Sequence, residues 1–176
     1  LYAEDEKMSG LENAIPVKTV GFIVNPIAGM GGAVGLKGTD GRDVLEKAII
    51  LGAKAIAPAR AESFLSGLKP VKGMIRLVTG AGSMGEDEAR KCGLAYTVLG
   101  KRRKVTSAED TMEAARKIMD TRADLLVFCG GDGTARDVLE AVGTSLPVLG
   151  VPTGVKMHSA IFALEPKAAA RITVEF

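Results

Sequence analysis

The chain has 176 residues, 47% hydrophobic and 25% charged, which suffices for one well-buried domain or one domain and part of another. A net charge of +2, 4% aromatics and no Trp argue against a nucleic-acid surface or a base-stacking platform. Two cysteines without a CxxC pair, one His and no apolar run near the ~18 residues of a membrane span argue against structural zinc, a disulfide framework and membrane insertion, and point to a reducing, cytoplasmic setting.

Residues 1–16 read as an N-terminal tail or added expression residues, with Met8 a candidate native start. The apolar run 19–24 predicts a strand, followed by a long glycine-rich loop over 25–41. Helical spacing follows over 42–51, and again over 58–68, where Pro58 suits a first turn. A second strand is expected at 74–78. Ser83 and Glu86 have capping-box spacing for a helix through Cys92. A third strand falls at 94–99. Thr106 and Glu109 repeat the capping signal before a helix to about Met119. The run 124–129 is the fourth strand, 135–142 its helix, and 147–151 the fifth strand. Two more helices are expected at 157–164 and 166–175.

Short apolar strands alternating with helices predict an α/β fold: a three-layer, Rossmann-like parallel sheet with right-handed crossovers over 17–176. Ligands of such sheets sit outside the carboxyl ends of the strands. The glycine-rich and otherwise unusual segments all fall on that edge. Glycine numbers 22, against about 12 from average usage of about 7%, and the excess clusters there.

Three segments stand out, with a fourth beside them. Gly130-Gly-Asp-Gly-Thr134 wraps glycines around one carboxylate where a buried strand meets a helix. Glycines admit positive φ and leave no Cβ in the way of a phosphate chain, and a helix start offers free N–H groups. Asp132 is then either a helix cap or a group beside a reacting phosphate. Asn25-Pro26 ends the first strand, and Gly29, Gly31 and Gly32 suit an anion-binding nest. After the fifth strand, Thr153 and Gly154 are placed to line a pocket and Lys156 to face phosphate. His158 reads as an ordinary helix residue. Gly80-Ala-Gly-Ser-Met-Gly85 fits the dinucleotide fingerprint GxGxxG by spacing, with Lys101-Arg-Arg-Lys104 where a 2′-phosphate would be met. A Walker P-loop is absent, and no residues read as metal ligands.

The order of these motifs resembles the superfamily of NAD kinases, diacylglycerol and sphingosine kinases and, more distantly, phosphofructokinases. Asn25–Gly32, Gly130–Asp137 and Pro152–Ser159 are most similar to the ATP-NAD kinase-like branch that includes acetoin-catabolism-associated proteins. The resemblance implies that Asp132 is the general base for phosphorylation of the NAD 2′-hydroxyl by ATP with Mg²⁺. It implies phosphate contacts for Gly130, Gly131, Gly133, Thr134, Asn25, Pro26, Gly29, Gly31 and Gly32. It sets Thr153, Gly154 and Lys156 near the dinucleotide.

The resemblance further implies a second, β-rich domain carrying an Asn-Glu pair. No asparagine follows Asn25 here, so this chain reads as the N-terminal domain, inactive alone. The stretch Pro152-Thr-Gly-Val-Lys-Met argues against a lipid acceptor. Nucleotide substrates, no nucleic acid or membrane partner, and a homo-oligomer are expected. Two other readings stand beside this one: a non-catalytic nucleotide-binding regulatory module, and an NADP-binding Rossmann module built on Gly80–Gly85.

Overall fold

A computed structural model describes residues 17–35, 42–154 and 157–176. The expected tail over 1–16, part of the first long loop (36–41) and Lys156 lie outside the described residues. β1 (Lys18–Val24), β2 (Ile75–Gly80), β3 (Tyr96–Leu99), β4 (Leu125–Gly130) and β5 (Val148–Pro152) form one all-parallel sheet in the order β3-β2-β1-β4-β5. β4 is buried along its whole length and β1 at all but Lys18, as strands covered on both faces should be.

The helices are α1 (Met30–Ala33), α2 (Arg42–Ile50), α3 (Ala57–Gly67), α4 (Glu86–Cys92), α5 (Ala108–Asp120), α6 (Asp132–Val142) and α7 (Pro166–Glu175). Alternation along the strands divides the core into two layers. Phe22, Leu77 and Val127 face α3, α4 and α7, where Phe22 stacks on Phe64 with ring centroids 5.3 Å apart. Ile23, Leu126 and Phe128 face α5 and α6, with Ile118 and Val138. Gly21 lets α5 settle on β1: a Cβ there would collide with the Ile118 side chain. The expected three-layer α/β architecture is therefore what the chain adopts.

Three local expectations are corrected. The α5 capping box belongs to Ser107 and Asp110, one residue beyond Thr106 and Glu109. Ser107 Oγ accepts from the Asp110 N–H, and the Asp110 carboxylate accepts from the Ser107 N–H at 3.0 Å. Ser83 does not cap α4. Gly85 occupies that position at φ 128°, and Ser83 lies in a 3-10 turn spanning Gly82–Met84. Residues 157–164 are not helical. Their apolar members serve β5 instead: Gly150 N–H donates to Ile161 O at 2.8 Å, Ala163 N–H to Gly150 O at 3.0 Å, and Phe162 meets Phe128 edge-on. That pairing along the open edge of β5 takes the backbone groups a helix would have used.

Candidate functional site

In this strand order the topology reverses between β1 and β4, and a doubly wound sheet leaves its crevice there. Val24 pairs with Cys129, so Asn25 and Gly130 emerge side by side. Asn25 N–H donates to Cys129 O at 2.9 Å, and Thr153 N–H donates to Gly130 O at 3.2 Å. The three segments singled out by sequence thus leave the sheet together.

Asn25 holds both loops. Its Oδ1 accepts from the Ile27 N–H at 3.3 Å, turning the chain after Pro26, and its Nδ2 donates to Thr134 Oγ1 at 2.9 Å. Gly29 takes the left-handed conformation (φ 84°), and a Cβ there would strike the Thr153 carbonyl oxygen. The first loop is thereby packed against the Thr153–Gly154 segment. The expected three-glycine nest is not what forms, because Gly31 and Gly32 are wound into α1. Only Gly29 of the three takes the positive φ.

The GGDGT turn also works differently from the expectation. None of Gly130, Gly131 and Gly133 has positive φ. Gly130 is needed for close approach instead: a Cβ would lie 2.5 Å from both Cβ and Oγ1 of buried Thr134. Gly131 is the N-cap of α6, extended at φ −111°, and Gly133 lies in the first turn.

Asp132 is the first residue of α6, and its side chain does not cap that helix. The carboxylate reaches across to the chain beyond β5. Oδ1 accepts from Ser159 Oγ at 2.7 Å, Ser159 N–H at 2.9 Å and His158 N–H at 3.2 Å; Oδ2 accepts from His158 N–H at 3.0 Å. The Ser159 hydroxyl is the main cause holding Asp132 below the usual carboxylate range; burial opposes it, and the backbone N–H groups of His158 and Ser159 add to the lowering. The start of α6 favours the same charge state. Asp132 is therefore an anion at neutral pH.

Beside it, a cleft of about 670 Å³ opens between α6 and the 158–161 segment. Asp132, Arg136, His158 and Ser159 are its polar groups, and Leu139 and Ile161 are among its apolar ones. The expectation of His158 as an ordinary helix residue fails with the helix itself: its side chain is exposed and borders this cleft.

Gly80–Gly85 serves a different purpose. Gly82 N–H donates to Glu86 Oε2 at 2.7 Å, so this turn binds the chain's own carboxylate. Arg102 forks onto Asp87 at 2.6 and 3.1 Å, and Arg103 pairs with Asp110 at 3.3 Å. Glu86, Asp87 and Glu88 fill the first turn of α4 with negative charge. Two of the three cations required by the 2′-phosphate reading are thus committed to carboxylates, and the NADP-binding alternative loses its support.

Two buried side chains each leave an oxygen without a partner among the described residues, and only Thr153 of the two was singled out by sequence. Glu88 on α4 is 3% exposed, and its Oε2 has no partner among the described residues; burial pushes its pKa up to about 7. Thr153 is 1% exposed, with its hydroxyl likewise unpartnered. Ser159 was missed as a site residue because a helix was expected through it. For magnesium, no group of three or more His, Cys, Asp or Glu side chains stands together among the described residues. The donors here do not make a protein cage for that ion; a magnesium that keeps its waters and rides on substrate phosphates needs none. No helix among the described residues is long and apolar enough to cross a membrane.

No curated protein matches the chain. The family of the ATP-NAD kinase N-terminal domain matches it over residues 20–175, which takes in the whole sheet but the first two residues of β1, and the switch-point cluster. The chain belongs to the ATP-NAD kinase family, whose N-terminal domain it represents.

Proposed function

We propose that the protein is an ATP-dependent kinase that phosphorylates the 2′-hydroxyl of NAD to give NADP, with this chain supplying the N-terminal domain. The observation that carries the reading is the Asp132 carboxylate: ionised, free of any capping duty, and placed at the switch point between the two glycine turns. The acceptor hydroxyl gives its proton to Asp132 while its oxygen bonds to the γ-phosphorus of ATP. The bond from that phosphorus to the β,γ-bridging oxygen breaks, and ADP leaves. Backbone N–H groups at the start of α6 and in the Asn25–Gly32 loop face the phosphoryl oxygens. Thr153 and Gly154, with Lys156, border the dinucleotide. A magnesium ion carried on the triphosphate would supply charge neutralisation there, with no cage of side chains from the described residues.

The Pro152–Ser159 stretch supports the acetoin-associated branch, two cysteines without a CxxC pair support a reducing, cytoplasmic setting, and near-neutral charge with few aromatics supports nucleotide substrates over nucleic acid; a homo-oligomer rests on the family resemblance alone.

In the intact protein, Asp132→Asn lowers NADP formation about 10²- to 10⁴-fold with the fold retained. Wild-type turnover in that variant refutes the assignment. One observation favours a second reading, a non-catalytic nucleotide-binding module: both oxygens of Asp132 already accept hydrogen bonds. Calorimetric binding of ATP or NAD to the intact protein, with no NADP formed, decides for the module.

A further inference from the structure

The four contacts on Asp132 are distributed unequally between its oxygens. Oδ1 takes three donors, two of them from Ser159 at 2.7 and 2.9 Å. Oδ2 takes one, the His158 N–H at 3.0 Å. A carboxylate has about four acceptor sites, two on each oxygen, so Oδ1 is saturated and Oδ2 keeps one lone pair.

We propose that Ser159 is a positioning residue that ties down Oδ1 of Asp132 and so leaves Oδ2 as the oxygen offered to a hydroxyl-bearing substrate in the neighbouring cleft. This rests on the phosphotransfer reading for the identity of that substrate, but the tether itself does not depend on it.

The support for Ser159 is rigid. Two residues on, Ile161 accepts from Gly150 at 2.8 Å, and Ala163 donates back to Gly150 at 3.0 Å, so the segment is pinned to β5. Phe162 anchors it from the side, edge-on to the fully buried Phe128 with centroids 5.4 Å apart. The tether therefore joins the first residue of α6 to a support on the sheet. A free aspartate at a helix start samples several rotamers; one held through Oδ1 presents Oδ2 in a single direction.

The charged and titratable groups bordering the same cleft are Arg136, one turn along α6, and His158 on the segment itself. Of the two, the charge of His158 favours the anionic form of Asp132. Neither fixes its orientation as a short hydroxyl contact does. Loss of the Ser159 hydroxyl removes a donor that favours the carboxylate, so the Asp132 titration moves to higher pH.

The test is the pH titration of the Asp132 carboxyl carbon by carbon-13 NMR in the intact protein, assigned by its loss in Asp132→Asn. It is run on wild type, Ser159→Ala and Ser159→Thr, beside the pH profiles of kcat and KM. In Ser159→Ala the titration and the acidic limb of kcat both move up in pH. kcat falls about tenfold or more while KM changes little. Ser159→Thr restores both. A serine that does not bond Asp132 would leave the titration in place.

An unmoved titration in Ser159→Ala overturns the tether. So does failure of threonine to restore it. If the titration moves as stated but Asp132→Asn still turns over at the wild-type rate, the phosphotransfer reading falls and takes with it the positioning role, while the tether stands as a structural contact. If Asp132→Asn is inactive and Ser159→Ala is fully active, the positioning role alone is wrong.

Discussion

The side-chain amide of Asn25 donates to the hydroxyl of Thr134 at 2.9 Å, bridging 109 positions of sequence to join the exit of β1 to the first turn of α6. Thr134 is buried, so this bond fastens the two glycine turns from beneath. Thr134→Val keeps the shape and deletes the acceptor. It leaves the Asn25 amide unpaired and costs about 1–2 kcal/mol, read from urea denaturation. Asn25→Ala costs a similar amount, and the double variant costs less than the sum because one bond is lost once. Full additivity would show that the bond contributes nothing to stability.

Gly130 and Gly131 are adjacent in sequence and have opposite requirements. A methyl at Gly130 meets Thr134 at 2.5 Å inside the core, whereas one at Gly131 meets nothing within 4 Å and sits on ordinary extended backbone. Gly130→Ala therefore destabilises by about 1–3 kcal/mol through overpacking. Gly131→Ala leaves the melting temperature nearly unchanged. If Gly131→Ala also abolishes turnover, the space beside that residue belongs to substrate. Equal melting temperatures for the two variants would contradict the packing described for Gly130.

Glu88 predicts a pH dependence of stability. Its pKa rises from 4.5 to about 7 in the folded chain, chiefly by burial, with the Asp87 and Glu62 charges adding and Lys91 opposing. Below 4.5 the group is protonated in both states, so it costs nothing. Between there and about 7 the unfolded chain ionises and the folded chain does not, so stability falls across that window and levels off above it. Glu88→Gln removes the effect. The stability of the variant relative to wild type, measured in urea, rises by roughly 2 kcal/mol from pH 4 to pH 8, after allowance for solvent screening. A difference independent of pH would place the Glu88 carboxyl in contact with solvent.

The sheet was legible because its strands are buried on both faces and their apolar runs are unbroken. β1 and β4 show this best: the expected 19–24 differs from the observed bounds by one residue at one end, and the expected 124–129 by one residue at each end. The strand order was not legible, since local pattern carries no information on neighbours; it came from the structure and gave the motifs their common edge. Capping was misread where two candidates stood side by side. Thr106 and Ser107 have the same chemistry, and only the path of the chain into α5 selects Ser107. Asp132 was legible as an important carboxylate but not as one held from the far side of the cleft. Its donors, His158 and Ser159, come from the 157–164 stretch expected to be helical, where Ile161 and Phe162 instead line the border of β5. Glu88 was hidden by its neighbours, since a run of three acids reads as a solvated face.

The pairing of Phe162 with Gly150 has a consequence for how this chain tolerates change in length. Downstream of it, α7 is seated on α3 where Gly67 admits Ala170, and a Cβ on Gly67 would come within 2.5 Å of it. With Ser159 bonded to Asp132 at one end and Phe162 clamped on Gly150 at the other, the two residues between act as a spacer of set span. A single inserted or deleted residue there would shift Ser159 out of step with α6, so related chains that keep Asp132 in this arrangement should show no gaps between those two positions, however freely their residues vary.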